Sequence, residues 1–485
     1  MSTKQGINEN AMKYIHIIIM FVIWFVVKSL PPFASITEMG MAVLGITLAL
    51  IYGWVMVDLL WPSLFGFVLL QLSGYTTILG GLAAGIGNQS VLMVFVLLAF
   101  AAGISQLGVS DMIAAWLMQR KVFIGRPLTM VFGLLYGAMI ISVAGGGIAS
   151  IFIMWDLLNS IMKANGRPTN DSVSGVLKAM ILYNGMIGFI LPWQNTIYLF
   201  GGFWQKGAPG LELPTMGVMY CGIIWALLAN ILMVLACKYI FRLDFSGFLI
   251  TEEIMDQFKG KPVTIYQKAG LIGMMIYIAL LLFASICKGN AAATFINALG
   301  VTGLSIIFMT IFSIWKKPDG KPVMDVADCF RQTPWAVMML LAITIPLGDA
   351  LQSGDTGIMA AITKVIYPLV SGMGATMFTI VCMVVLIIMT QFLHNVICGA
   401  VLLPMLTPIC ITMGGNPYLF LFMCFVALMS AYATPAASMF SGLVFGMPDI
   451  TKKSAYLAGW LYVAVTIIIL IALMPLWSAI FTALY

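Results

Sequence analysis

Apolar residues fill most of this chain in blocks long enough to cross a membrane. A transmembrane helix needs about 20 apolar residues, and such blocks recur from residue 14 to the end of the chain. Single spans are predicted at 14–30, 39–57, 59–73, 89–107, 174–191, 215–240, 268–288, 291–314, 333–351, 417–433 and 455–484. The pattern therefore predicts an all-α integral membrane protein with about eleven transmembrane helices.

Two longer apolar blocks, 127–164 and 372–413, are interrupted near the middle, at Ala144-Gly-Gly-Gly147 and at His394-Asn-Val396. Each follows a shorter amphipathic segment, which suits a helix lying in the membrane interface. We predict that each block forms a re-entrant helical hairpin. Two full crossings would return the chain to the same side, so that alternative stays open at this stage.

Composition excludes a soluble protein. Of the 485 residues, 62% are hydrophobic and 8% are charged, whereas soluble domains carry about 25% charged residues. Only lipid can cover such an apolar exterior. No small-residue cleavage site follows the first apolar run, so we expect it to be a retained span. The eight cysteines form no Cys-x-x-Cys pair and are interpreted as small apolar residues.

The net charge of +6 reports topology rather than a nucleic-acid partner. With the N-terminus in the cytoplasm, all but four of the 23 Lys and Arg residues fall on the cytoplasmic side. The four exceptions are Lys28, Lys206, Lys288 and Lys364. This bias predicts a multi-pass protein of the inner (cytoplasmic) membrane, with a cytoplasmic N-terminus and an extracytoplasmic C-terminus.

An internal repeat is visible. Residues 105–115 align with 351–361 through Gln106/Gln352, Gly108/Gly354 and an Ala-Ala pair. Further on, the two hairpin interruptions correspond, and Leu191-Pro-Trp-Gln-Asn195 corresponds to Thr434-Pro-Ala-Ala-Ser438. The first copy enters the membrane from the cytoplasm and the second from outside, so the repeats have inverted topology. That architecture is typical of alternating-access transporters with a midplane site; chance similarity of apolar sequence is the alternative.

Polar groups and glycines within the breaks are the candidate substrate ligands, because non-helical backbone inside a membrane survives where it lines a cavity. These candidates are Gly145, Gly146, Gln194, Asn195, His394, Asn395, Thr434 and Ser438. Glycine permits close backbone approach, and amides or hydroxyls can bind a carboxylate or a cation. His394 could also carry a coupling proton, and Asp156 and Asp349 are further candidates for ion or proton coupling. The structural alternatives are close helix packing, interhelical hydrogen bonds and bonding back to the helix.

Enzyme motifs are absent: the chain has no His-Glu-x-x-His, no Gly-x-Ser-x-Gly and no P-loop. An intramembrane enzyme would have to pair Asp156 with Asp349, and no motif supports that pair. We therefore expect no enzymatic activity and no cofactor, apart from sodium or protons as coupling ions.

The order of elements resembles the divalent anion/sodium symporter family of the ion transporter superfamily. The likeness lies in the second hairpin, Gln391–Pro404, in the broken-helix motif Ala433–Gly442, and in Leu191–Asn195 as its first-copy counterpart. Where the family has Ser-Asn-Thr at both hairpin tips, this chain has Ala144-Gly-Gly and His394-Asn-Val. The resemblance implies a homodimer, fixed scaffold helices and an elevator-like moving domain. It also implies a sodium site at Gly145, Asn195 and Asn395.

These observations predict a secondary active transporter for a small organic anion of the di- or tricarboxylate type. Transport would be coupled to sodium or protons, or proceed by exchange; an inorganic ion/proton antiporter is the alternative. The predicted segments are scaffold helices with an interfacial helix (1–125), a first transport repeat (126–240), a central cytoplasmic loop with further scaffold helices (241–370), and a second transport repeat (371–485).

Overall fold

The computed structural model describes residues 3–109, 112–113, 116, 120–143, 147–252, 263–287, 290–333, 335–361, 364, 372–435 and 437–485. Regular structure in these ranges is helical, apart from two isolated β-bridges, Ile124 with Ile250 and Lys316 with Pro322. The predicted all-α fold is confirmed.

The helices of the first half, in chain order, are α1 Thr3–Ser29, α2 Glu38–Met56, α3 Leu60–Leu72, α4 Ile78–Ile86, α5 Gln89–Gln106, α6 Pro127–Val143, α7 Gly147–Ala164, α8 Ser172–Gly185, α9 Asn195–Gly207 and α10 Thr215–Leu235. Those of the second half are α11 Ile265–Ile286, α12 Ala291–Ile314, α13 Val326–Arg331, α14 Trp335–Gln352, α15 Ala375–Met389, α16 Asn395–Thr412, α17 Pro417–Met429, α18 Met439–Gly446, α19 Lys452–Ala472 and α20 Met474–Leu484.

Helix length and apolarity make this a multi-pass membrane protein. Within the described ranges, eight helices are long and apolar enough to cross a membrane, or nine if the pair bent by 50° at residues 87–90 is one span. Three of the eleven predicted spans, 39–57, 59–73 and 417–433, contain only shorter apolar helices, whereas the eight include Asn395–Thr412, which the prediction places in the second hairpin. Leu60–Leu72 and Pro417–Met429 have 13 residues each, and at 1.5 Å per residue neither alone covers a core of about 30 Å.

Each half of the chain packs its interrupted block in the same way. Helices α6 and α7 contact one another and both contact α8. Helices α15 and α16 contact one another and both contact α17. This equivalence supports the internal repeat, with each block forming two helices that pack on the helix that follows. The division into four segments stays a prediction.

Side chains fix where several helices begin. An α-helix leaves its first N–H groups without partners, and these need acceptors inside or beside a membrane. Asp171 Oδ1 accepts a hydrogen bond from Ser174 N at 2.6 Å at the start of α8. Asn416 Oδ1 accepts from Tyr418 N at 2.9 Å where α17 begins with Pro417. Both caps lie at the ends of helices that lead toward the breaks.

Burial separates central helices from peripheral ones. In the span Ser172–Ile190, 89% of the residues are buried, compared with 6% in Met12–Ser29 and 28% in Ile265–Ala284. Helix α8 therefore lies at the centre of the protein, and α1 and α11 present most of their surface to lipid. Most described residues of the breaks that follow α8 and α17 are buried, as membrane backbone without helical hydrogen bonds requires.

Candidate functional site

The first break, which we call the first crossover, covers residues 186–194 between α8 and α9. It contains a 3-10 turn, Ile187–Ile190, followed by Pro192. Gly188 N donates to Ser142 Oγ at 2.8 Å, and Trp193 Nε1 donates to Val143 O at 3.1 Å. Both acceptors end α6, so the crossover is attached to the first hairpin beside its tip. The predicted ligands Gly145 and Gly146 lie outside the described residues.

Two amide side chains at the end of this crossover are uncommitted. Helix α9 begins at Asn195 without a side-chain cap, and neither Gln194 nor Asn195 forms a side-chain hydrogen bond with the described part of the chain. Both side chains are partly exposed. The first N–H groups of α9 and these two amides are therefore available to a ligand.

The second crossover, residues 430–438 between α17 and α18, uses its hydroxyl groups internally. Thr434 Oγ1 donates to Gln391 O. Ser438 Oγ donates to Ala431 O at 2.8 Å and accepts from Ser441 N at 3.1 Å, which caps α18. Both hydroxyls thus have the structural role that was the alternative in the sequence analysis, and their role in binding stays a prediction.

Gln391, which was not among the predicted site residues, forms side-chain hydrogen bonds with the backbone of this crossover. Its side chain is fully buried. Nε2 donates to Ile387 O at 2.7 Å and to Ser430 O at 3.1 Å, while Oε1 accepts from Tyr432 N at 3.2 Å and Ala433 N at 2.8 Å. Its only signal in the sequence is a polar residue four positions before the tip Asn395 in an apolar block.

The tip of the second hairpin starts helix α16. His394 is its N-cap, and Nδ1 accepts from Val396 N at 3.3 Å. Asn395 Oδ1 also accepts from Val396 N, at 2.9 Å, and Asn395 N donates to Ala437 O at 3.2 Å. His394 is partly exposed and Asn395 is buried. The tip therefore lies against the second crossover, with its imidazole at the edge.

Helices α9 and α16 run parallel and begin at the same level. A Cβ on Gly399 would lie 2.5 Å from Phe200 Cε1, and a Cβ on Gly207 would lie 2.8 Å from Pro404 O. The contact thus advances in the same direction along both helices, which places the N-termini at Asn195 and Asn395 next to one another. Two helix N-termini side by side create a positive potential that favours an anion.

The two crossovers also lie close together. Tyr183, near the end of α8, stacks on Tyr432 of the second crossover with ring centroids 4.3 Å apart. On the other side of Tyr432, Gly459 of α19 allows close approach, since a Cβ there would lie 2.5 Å from Tyr432 O. The breaks of the two repeats therefore share one buried central region.

The charged candidates lie away from this region. Lys206 Nζ and Asp349 Oδ1 form an ion pair at 2.7 Å, eleven residues or about 16 Å along α9 from Asn195. Asp156 is exposed on α7. Lys178 Nζ donates to Thr169 O at 2.7 Å and pairs with Asp449 Oδ2 at 3.4 Å. Gln194, Asn195, His394 and Asn395 thus lie at the same end of the α9–α16 contact, whereas the two aspartates lie elsewhere.

Broken central helices, paired helical hairpins and an apolar exterior define a polytopic membrane transporter. More closely, the chain belongs to the sodium:sulfate symporter family, because the family model described as the sodium:sulfate symporter transmembrane region matches residues 3–484. The predicted family is confirmed, and the protein is a secondary transporter of a small solute rather than an enzyme. Comparison with curated proteins gave no match.

Solved transporter structures share the fold. The YdaH transporter of Alcanivorax borkumensis has a TM-score of 0.57 and 15% identity, over 84% of this chain and 89% of that chain. MtrF of Neisseria gonorrhoeae, described as illuminating a class of antimetabolite efflux pumps, has a TM-score of 0.54 and 13% identity, over 97% of this chain and 94% of that chain. At these identities the likeness concerns the fold alone.

Proposed function

We propose that this transporter moves a small organic anion of the di- or tricarboxylate class by elevator-type alternating access. The observation that carries the proposal is that α9 and α16 begin at the same end of their contact. The amides of Gln194 and Asn195, which have no partner among the residues that the structure describes, lie at the start of α9. Each helix N-terminus is equivalent to roughly half a positive charge. Two of them, with amide donors, suit an anion that has several carboxylate oxygens.

The positions of the lysines favour an anion held by dipoles and amides rather than by a side-chain charge. Lys178 and Lys206 belong to the helices on either side of the first crossover, and both are paired with aspartates away from it. A site without a fixed cation binds its anion less tightly, which suits repeated loading and release. It also leaves room for a co-transported cation to supply positive charge.

The helix contacts support a moving unit on a scaffold. Helix α5 contacts α7 and α9, and α14 contacts α9 and α16. In the proposed mechanism α5 and α14 stay fixed, while α7, α9 and α16 carry the solute past them. We further propose that the transporter is a homodimer of the inner membrane with its N-terminus in the cytoplasm.

Sodium is our first choice of coupling ion, since the family is named for sodium symport. A hard cation needs several oxygen ligands, which the backbone and the amides of Asn195 and Asn395 would supply together with Gly145. A proton carried by His394 is the competing choice, because its ring is polar, partly exposed and at the tip of the hairpin.

Proteoliposomes test these proposals directly. The purified protein is expected to take up radiolabelled succinate, citrate or sulfate under a sodium gradient, under a proton gradient, or by exchange against internal anion. The gradient that drives uptake identifies the coupling ion. No uptake of succinate or citrate under the three conditions, or uptake of sulfate alone, would refute the substrate class. Sodium or proton flux without an anion would indicate the antiporter instead.

A further inference from the structure

Gln391 occupies the position where the second hairpin meets the second crossover. It lies four residues before Asn395 and has no solvent exposure. Its side chain has two donor hydrogens and an oxygen with two lone pairs. The structure uses both donors and both acceptor positions, so the amide orientation is set by its neighbours and cannot be reversed without losing all four bonds.

The bonds of Gln391 connect two segments that are distant in sequence. The acceptor Ser430 O and the donors Tyr432 N and Ala433 N lie 39 to 42 residues further along the chain. The backbone oxygen of Gln391 accepts a further bond from Thr434 Oγ1. Gln391 thus satisfies three of the backbone groups that become free where α17 ends, and Ser438 and Ser441 satisfy the carbonyls of Ala431 and Tyr432.

The same contacts set the position of the α16 N-terminus. Between Gln391 and Asn395 there are only three residues, and Asn395 N donates to Ala437 O at 3.2 Å. The tip and the crossover are therefore fastened at both ends, by Gln391 at residues 430–434 and by Asn395 at residue 437. A shift of the crossover would move Asn395 and the start of α16 with it.

We infer that Gln391 is a positioning residue, which holds the second hairpin closed on the second crossover and sets the α16 N-terminus in its anion-binding geometry. It contacts no ligand itself and acts through Asn395 and the crossover backbone. The second hairpin and the second crossover then move as one body during transport. The effect on binding rests on the proposed anion transport, whereas the effect on the crossover backbone does not.

The experiment compares Gln391→Leu with Thr390→Val. Leucine resembles glutamine in size but cannot form hydrogen bonds. Thr390 is the adjacent residue and is equally buried, and its hydroxyl has no hydrogen-bond partner in the described part of the chain, so Thr390→Val is a matched control. Hydrogen exchange followed by mass spectrometry is measured on the peptide that contains residues 430–438, in detergent without an anion.

Gln391→Leu is expected to accelerate exchange in that peptide at least tenfold, with Thr390→Val like the wild type. The apparent KM for the panel anion that the wild type takes up should rise at least tenfold in Gln391→Leu. A merely structural residue would lower the yield of folded protein and leave the KM unchanged. Unchanged exchange in Gln391→Leu would show that Gln391 does not hold the second crossover. Faster exchange with an unchanged KM would show that Gln391 does not position the anion site.

Two further variants keep the inference testable if Gln391→Leu does not fold. Among the described residues, Thr434→Val removes only the bond to Gln391 O. Gln391→Glu keeps an acceptor for Tyr432 N and Ala433 N but replaces the NH2 group that donates to Ile387 O and Ser430 O. Each is expected to accelerate exchange by several-fold, and wild-type exchange in both overturns the inference. If the wild type takes up none of the tested anions, the proposed function fails. The exchange result still decides whether Gln391 holds the second hairpin on the second crossover.

Discussion

The two crossovers have the same place in their repeats but use polar residues differently. In the second, the hydroxyls of Thr434 and Ser438 are bonded to the protein, and Gln391 fastens the backbone. In the first, hydrogen bonds run from Gly188 and Trp193 to the end of α6, and the amides of Gln194 and Asn195 have no partner in the described ranges. Inverted repeats therefore need not use their polar residues alike: the second crossover bonds its hydroxyls within the fold, and we propose that the first binds the solute.

The largest expected effect is on Asn195→Ala. Among the described residues the amide has no hydrogen bond to lose, so we expect a melting temperature near that of the wild type. A hydrogen bond to an anion is worth about 2 kcal/mol, which corresponds to a rise of about 30-fold in the apparent KM. Uptake kinetics in proteoliposomes and thermal unfolding in detergent measure the two quantities.

Asn184→Ala is the control for that variant. Asn184 and Asn230 exchange two buried amide hydrogen bonds of 2.8 and 2.6 Å. The control should lose stability, since Asn230 is left unpaired, and keep its KM. If instead Asn195→Ala is unstable and binds normally, the contrast between the crossovers is wrong.

Ser438→Ala should show the opposite pattern to Asn195→Ala. It removes the cap of α18 and the bond to Ala431 O, which costs about 1 kcal/mol of stability. The apparent KM of the folded protein should change less than about threefold, or about 0.7 kcal/mol. A large rise in KM at unchanged stability would show that the hydroxyl contacts the solute.

A smaller effect is expected from Asp349→Asn. The variant breaks the pair with Lys206, whose side chain is 20% exposed while that of Asp349 is 40% exposed. A partly exposed pair contributes about 1 kcal/mol or less, and the dependence of uptake on sodium and pH should not change. Loss of ion dependence would restore Asp349 as a coupling residue.

The smallest effect is expected from Asp156→Asn, because the carboxylate is exposed on α7. Substitutions at such positions change stability by about 0.5 kcal/mol or less. Uptake rates and their ion dependence should match the wild type in parallel assays. Uncoupled transport in this variant would place an ion ligand on the first hairpin.

The sequence was sufficient for the membrane fold, the interrupted blocks and their order, because apolar length and the polar residues that interrupt it are local features. It could not separate Asn195 from Ser438, since both follow a proline in an apolar helix. What separates them is the partner each side chain finds. Those partners depend on folding, as with Lys206 and Asp349, which are 143 residues apart.

Gln391 illustrates the same limit. In the sequence it is one polar residue near a hairpin tip, and its importance follows from four bonds to groups that the chain brings together only when folded. The free backbone groups at the end of α17 are predictable from the break itself. Which side chain satisfies them is not, because several polar residues lie within reach of the tip.

The central claim is that a solute anion binds between the N-termini of α9 and α16, on the side of the first crossover. A cryo-electron microscopy map of the protein with the panel anion that it takes up fastest tests this most directly. We expect density within hydrogen-bond distance of the Asn195 amide and the first N–H groups of α9, beside the N-terminus of α16, whose own first N–H groups donate to the protein. Thr434 and Ser438 should still be bonded to the protein. Density coordinated by Thr434 and Ser438, or remote from both helix starts, would contradict the claim.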